Sequence, residues 1–168
     1  MQQFIYRTAI ESDLVQLKRL GLLAYGQFQN VLGIENWELM KANQNDDSTY
    51  LNLLKIAKCF VCEIENAIIG MAFLIPNGNP TAYFEKEWCY IRLVGVHPEF
   101  EGKGIGRKLT QQCIEFAKES GEGIIALHTS EFQNAARHIY ESLGFIKQKD
   151  LDLIYGKQYY LYTLKVTK

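Results

Sequence analysis

The residues Val96-His97-Pro98-Glu99-Phe100-Glu101-Gly102-Lys103-Gly104-Ile105-Gly106 stand between an apolar strand pattern, Tyr90 to Val96, and a helical one, Arg107 to Glu119. Strand, glycine-rich turn and helix in that order aim a row of backbone N–H groups out of a positively polarised helix start. Such a start binds phosphate. Glycines at positions 102, 104 and 106 let the main chain approach a ligand where a Cβ would collide. The first expectation is therefore a phosphate-bearing ligand.

Three other readings of the turn fit less well. A Walker loop needs G-x-x-x-x-G-K-[ST], and no such spacing exists here because Lys103 precedes the last two glycines. The dinucleotide fingerprint G-x-G-x-x-G is matched at Gly102 and Gly104, but its third position is Arg107 and no further βαβ unit follows. An ordinary turn into a helix would need one glycine rather than three.

Working outward, Phe4 to Ala9 alternates and predicts an edge strand. Thr8-Ala-Ile-Glu11 predicts a capping box, with Ser12 as an alternative N-cap, ahead of Leu14, Leu17, Leu20 and Ala24 at helical spacing. A second helical stretch runs from Glu35 to Ala57, broken near Asn43 to Asp47. Cys59 to Ile64 and Ala67 to Ile75 form a hairpin about Glu65-Asn66, and Trp88 to Val96 is a third long strand. The Arg107–Glu119 helix buries Ile105, Leu109, Cys113 and Phe116. Ile124 to Thr129 is a buried strand, Phe132 to Leu143 a helix stopped at Gly144, and Phe145 to Lys149 and Gln158 to Val166 are strands. The order β-α-α-β-β-β-α-β-α-β-β predicts an α/β layer fold with a mostly antiparallel sheet.

The chain has 168 residues, 22% of them charged, and a net charge of −1, so no bulk field favours nucleic acid or an anionic membrane. No stretch approaches about 18 consecutive apolar residues, and the N-terminus lacks an apolar signal core. A cytoplasmic protein is expected. Cys59 and Cys62 have C-x₂-C spacing, but residues three apart in a strand face opposite ways, and no second cysteine or histidine pair follows. Free buried thiols and no metal are expected.

Beyond these patterns the chain resembles the GNAT family of acyl-CoA-dependent N-acyltransferases. That family's signature is Q/R-x-x-G-x-G/A after a strand ending V-x-P, and here Glu101-Gly-Lys-Gly104-Ile-Gly106 follows Val96-His-Pro98. Tyr6-Arg7-Thr8-Ala9-Ile10-Glu11-Ser12-Asp13 looks like the family's opening strand and first helix. Ala136-Arg-His-Ile-Tyr140-Glu-Ser-Leu-Gly144-Phe145 looks like its A-x-x-x-Y-E-x-x-G-F segment. The similarity covers nearly the whole chain, implying a single domain over residues 1–168. It also implies a mixed sheet of about six to seven strands, splayed at the cofactor site and flanked by about four helices.

The resemblance implies acetyl-CoA as acyl donor and no metal. Backbone of Val94, Gly95 and Val96 would bond the pantetheine amides, with Gly95 suited to a bulge or a close ligand approach. The N–H groups of Gly102, Lys103, Gly104, Ile105, Gly106 and Arg107 would hold the diphosphate, Lys103 and Arg107 adding charge. Glu101 departs from the family's Gln or Arg and should repel phosphate unless it points away. Gln133, seven positions before Tyr140, keeps the register of a cofactor-contacting amide, with Asn134 one step on. Tyr140 would protonate the departing thiolate. His128 is the candidate general base, since Tyr90 and Arg92 occupy the strand positions commonly used; Glu85 and Glu87 acting through water, or solvent itself, are the alternatives.

The implied activity is acetyl transfer to a primary amine, small molecule or peptide, by direct attack in a ternary complex. A CoA-binding sensor without turnover and an enzyme for another acyl-CoA stay open, as does a homodimer. Acceptor specificity is expected from Gly26–Asp47 and Asp150–Lys157, with Trp37 and Tyr155 lining the acceptor cleft or filling core.

Overall fold

A computed structural model describes residues 2–167. Its spine is a seven-stranded sheet of order β1-β2-β3-β4-β5-β7-β6. The strands are β1 (Ile5–Thr8), β2 (Lys58–Ile64), β3 (Ala67–Ile75), β4 (Cys89–Val96), β5 (Ile124–Ser130), β6 (Ile146–Asp150) and β7 (Tyr159–Lys165). Every neighbouring pair is antiparallel except β4 and β5. The helices are α1 (Leu14–Gly26), α2 (Gln29–Leu32), α3 (Ile34–Gln44), α4 (Asp47–Ile56), α5 (Ile105–Glu119) and α6 (Asn134–Ser142). Among the described residues no helix is long and apolar enough to cross a membrane.

Two cores lie on the two sheet faces. Leu17 and Leu20 of α1 and Tyr50 and Leu53 of α4 pack with Val61, Phe73 and Tyr90 on one side. On the other, Ile105, Leu109 and Cys113 of α5 pack with Cys62, Leu74 and Ile91. With both faces covered, β3 is buried continuously from Ile68 to Ile75, which is why its sequence shows an apolar run rather than alternation. Cys59 and Cys62 belong to opposite cores, as their spacing in a strand requires.

The hairpin turns at Glu65 and Asn66, both with positive φ (48° and 67°), the pattern of a tight turn that matches strand twist. The break between α3 and α4 falls at Asn45-Asp46, where Asp46 accepts a bond from the Ser48 N–H at 3.0 Å. The short α2 turn has no apolar periodicity and is invisible to pattern reading. The entry to α1 also differs from expectation. Neither Thr8 nor Ser12 caps it; the Asp13 carboxylate accepts from the Ile10 N–H at 2.8 Å while Arg7 grips both its oxygens at 2.8 and 3.0 Å.

Between β3 and β4 the register shifts, so that Leu93 and Val94 together face the single residue Ala72. Leu93 takes a left-handed conformation, φ 53°, at a cost on the order of 1 kcal/mol. The bulge therefore sits at Leu93-Val94 rather than at Gly95. Gly95 is small for another reason: a Cβ there would lie 3.2 Å from Ala24 of α1 and 3.4 Å from the Met71 methyl.

Arg7 holds the Asp13 carboxyl below its ordinary 3.8, so this ion pair contributes fully above about pH 4 and fades as pH falls further. Asp13→Asn should lower Tm by about 2–4 °C at pH 7, the partly exposed arginine limiting the loss. The gap from wild type should close below pH 4. Thermal melts from pH 3 to pH 7 test this; a gap that widens in acid contradicts it.

Candidate active site

β4 and β5 run parallel but pair at only two positions, Cys89 with Ile125 and Tyr90 with Ala126. Beyond Tyr90 the strands part. The opening separates two hollows that meet at Tyr25, Val94, Gln133 and Ala136.

The first hollow is a groove of about 570 Å³ between the glycine turn and the start of α6. Val94, Gly95, Val96, Glu101, Gly102, Gly104, Ile105, Gly106, Arg107, Gln133 and Asn134 all border it. Gly104 caps α5 with φ 81°, and Gly102 has φ 76°. The first backbone bond of α5 runs from the Lys108 N–H to the Gly104 carbonyl at 3.0 Å. Among the described residues, the N–H groups from Gly102 to Arg107 find no backbone acceptor. These orphaned donors, crowded at a positive helix end, suit a diphosphate.

The charged residues around the turn have separate arrangements. Lys103 is exposed and does not border the groove. Arg107 donates to the Ser142 hydroxyl at 2.6 Å, which ties α5 to α6. The Glu101 carboxylate does border the groove, and the Gln27 amide donates to it at 2.9 Å from the end of α1. The Phe28 and Phe132 rings meet at 4.9 Å nearby.

Gln133 precedes the first turn of α6 with non-helical backbone, and Asn134 begins the helix; both border the groove. The Gln133 carbonyl oxygen accepts from the Ser130 N–H and hydroxyl at 3.1 and 2.8 Å, which leaves its Nε2 free at the junction. Asn134 points its oxygen to the Arg137 guanidinium and borders only the groove.

The second hollow is a cavity of about 440 Å³ on the α1 side. Tyr140 and His128 both line it, Tyr140 reaching it from α6 through the gap. Burial, with Tyr25 and Cys113 nearby, pushes the Tyr140 phenol far above its ordinary value, so it stays protonated. Its hydroxyl bonds to no side chain or main-chain group among the described residues. His128 stacks parallel to Phe84 at 5.7 Å and meets Tyr83 and Tyr159 edge-on. Desolvation first, then the Arg92 charge, brings its pKa down to about 4, and its Nδ1 lacks a partner. The imidazole is neutral at physiological pH.

Tyr25 escaped sequence reasoning altogether. It touches both hollows, and burial raises its phenol to about 12. A tyrosine at the end of an amphipathic helix carries no local signal of that role. Of the expected acceptor residues, Tyr155 lines the cavity and its hydroxyl accepts from the Asn43 amide at 2.8 Å, joining the 151–158 loop to α3. Trp37 instead packs with Leu32 and Met40 in a small third core. Glu85 and Glu87 are exposed and border neither hollow, so they do not face the reacting groups. All four cysteine thiols are buried and shifted upward, chiefly by desolvation.

Known proteins point the same way. Human N-acetyltransferase 8B is 34% identical over 102 residues, which is 60% of this chain and 44% of that protein. Rat N-acetyltransferase family 8 member 3 is 31% identical over 90 residues, 53% of this chain and 39% of that protein. The chain thus aligns to less than half the length of these relatives. The PaiA N-acetyltransferase of Thermoplasma acidophilum, solved with coenzyme A, shares the fold with a TM-score of 0.77 at 15% identity, over 97% of this chain and 99% of that one. The family model described as Acetyltransferase (GNAT) family matches residues 28–145, well over half of the sequence, and this chain belongs to that family.

Proposed function

We propose that this chain moves an acetyl group from acetyl-CoA to the nitrogen of a primary amine, by direct attack while donor and acceptor are bound together. The observation that carries the reading is the meeting of a phosphate-suited groove and a phenol-lined cavity at the point where β4 and β5 part.

The N–H groups of Gly102 to Arg107 would hold the diphosphate, with Lys103 and Arg107 adding positive charge. The main chain of Val94, Gly95 and Val96 would bond the pantetheine amides in place of the strand that β5 fails to supply. Gln133 would offer its free Nε2 at the junction, and Asn134 would flank the groove. Glu101, which borders the groove and accepts from Gln27, would weaken the cradle without abolishing it. Acetyl-CoA, when bound, supplies the activated acetyl group.

Tyr140 would then give its proton to the departing sulfur, a role that suits a phenol kept protonated by burial. His128, kept neutral but made a weak base by its lowered pKa, would take the proton shed by the attacking nitrogen. A carbon–nitrogen bond forms and the carbon–sulfur bond breaks, the electron pair leaving with sulfur. No covalent acyl-enzyme is invoked, because the buried, upshifted thiols are poor nucleophiles.

Release of free CoA thiol from acetyl-CoA in the presence of an amine panel is the primary test. Retained CoA binding with no thiol release from any amine would leave a cofactor-binding module instead. No calorimetric heat with CoA would remove both. Tyr140→Phe should lower kcat by about 10²-fold while leaving the Kd for CoA nearly unchanged; an equal loss of binding would assign Tyr140 to packing. Glu101→Gln keeps an acceptor for Gln27 and removes the negative charge, so affinity for CoA should hold or rise. A clear fall would overturn this account of the turn.

The His128 ring should titrate near pH 4 by NMR rather than near 6.5. The unfolded chain binds that proton more readily than the folded one, so this group's contribution to stability falls as pH drops from about 6.5 to about 4. His128→Gln should flatten the slope in that window. Titration at pH 6 or above would remove the imidazole from its buried setting.

A further inference from the structure

The acceptor cavity has an unbalanced charge. Of the described residues that line it, Arg92 alone carries a permanent charge, and none is an aspartate or glutamate. Arg92 lies on β4 just before the bulge, on the same sheet face as Tyr90, opposite Phe73 on β3. The ion pairs among the described residues join Arg7 with Asp13 and Glu63, Lys18 with Asp47, and Lys147 with Asp150. Arg92 is in none of them and makes no side-chain hydrogen bond to a described residue. Its charge is nonetheless felt across the cavity, depressing the pKa of His128 and acting in the same direction on Tyr25, Tyr50 and Tyr90. Those phenols are shifted upward overall, so no tyrosinate neutralises the guanidinium.

The rest of the lining divides between apolar groups, such as Met40, Ile91, Leu127 and Ile154, and neutral polar ones, such as Asn43 and Thr49. A polyamine or an aminoglycoside would add further cations beside Arg92 with no carboxylate to receive them. A peptide N-terminus would bring a neutral amide to the same place. Arg92 is exposed and no carboxylate among the described lining residues faces it, so its guanidinium is open to an acceptor's carboxylate, which matches that fork with two parallel bonds.

We propose that the acceptor is a small amine carrying its own carboxylate, an α-amino acid with an apolar side chain, whose carboxylate pairs with Arg92 while its side chain lies beside Met40 and Ile154. The inference rests on the acetyl-transfer reading for its chemistry. Its bonds and protons are those already given: nitrogen joins the acetyl carbon and loses a proton, and sulfur leaves and gains one. Fixing the carboxylate at Arg92 also leaves the amine as the free end of the acceptor.

The test compares matched amines in the thiol-release assay: leucine with 3-methylbutylamine, and phenylalanine with 2-phenylethylamine and phenylalaninamide, with spermidine as the polycation. Wild type should prefer the carboxylate-bearing member of each set by about 10-fold or more in kcat/KM, chiefly through KM. Arg92→Met should bring that ratio toward one, and Arg92→Lys should keep part of it. Equal or better turnover of the amide, the decarboxylated amine or spermidine overturns the proposal, as does a ratio unchanged in Arg92→Met. Calorimetric titration of the same compounds into the CoA-loaded protein reads the pairing without turnover. If leucine binds, 3-methylbutylamine does not, and Arg92→Met abolishes the difference, the carboxylate site stands even where no thiol is released. If neither compound binds and neither is acetylated, it falls.

Discussion

The site depends on an unfinished strand pairing. β4 and β5 hold one another at two residue pairs and then separate, although each continues for several residues with a partner on its other side. Parting two strands strands the polar groups along their facing edges, and burying such groups unpaired is costly. The separation survives because other contacts specify it more strongly. The bulge at Leu93-Val94 bends β4, α1 packs closely over Gly95, and α5 and α6 are tied to each other by Arg107 and Ser142. At the base of the opening, Phe84 stacks on Tyr90 at 4.3 Å and on His128 at 5.7 Å, so aromatic packing secures the two strands where their hydrogen bonds end.

The gap also divides the electrostatics. On the α5 side, unbonded N–H groups and a helix dipole create a main-chain field that favours phosphate. On the α1 side, the one fixed charge lining the cavity is Arg92, among phenols held neutral by burial and an imidazole that burial and Arg92 keep uncharged. Tyr140 packs in the core of the first side and also lines the cavity of the second. A protonated phenol and a neutral imidazole lining one cavity can move protons in opposite directions, one as donor and one as acceptor.

Much of this was legible along the chain. The glycine turn, its preceding strand and its following helix are local features, and local geometry follows from φ preference and apolar period. Tyr140 was legible too, because the residues from Ala136 to Phe145 form one continuous motif. What escaped was whatever depends on distant segments meeting. Tyr25 gained its place from the approach of α1 to the gap, and Gly95 proved to be a packing residue beside the bulge rather than the bulge itself; for Trp37 only the structure chose core over cleft.

Taken alone, the amino-acid order determined the elements, the phosphate-suited turn and the family resemblance, since each is written in contiguous residues whose conformations are set by neighbours. The tertiary structure decided the rest: that β4 and β5 part, that Arg92 has no counter-charge among the described residues, and that His128 is held neutral. Burial and electric field are properties of what surrounds a side chain. For these residues the surroundings come from α1, α3 and the 151–158 loop, which no local pattern could bring together.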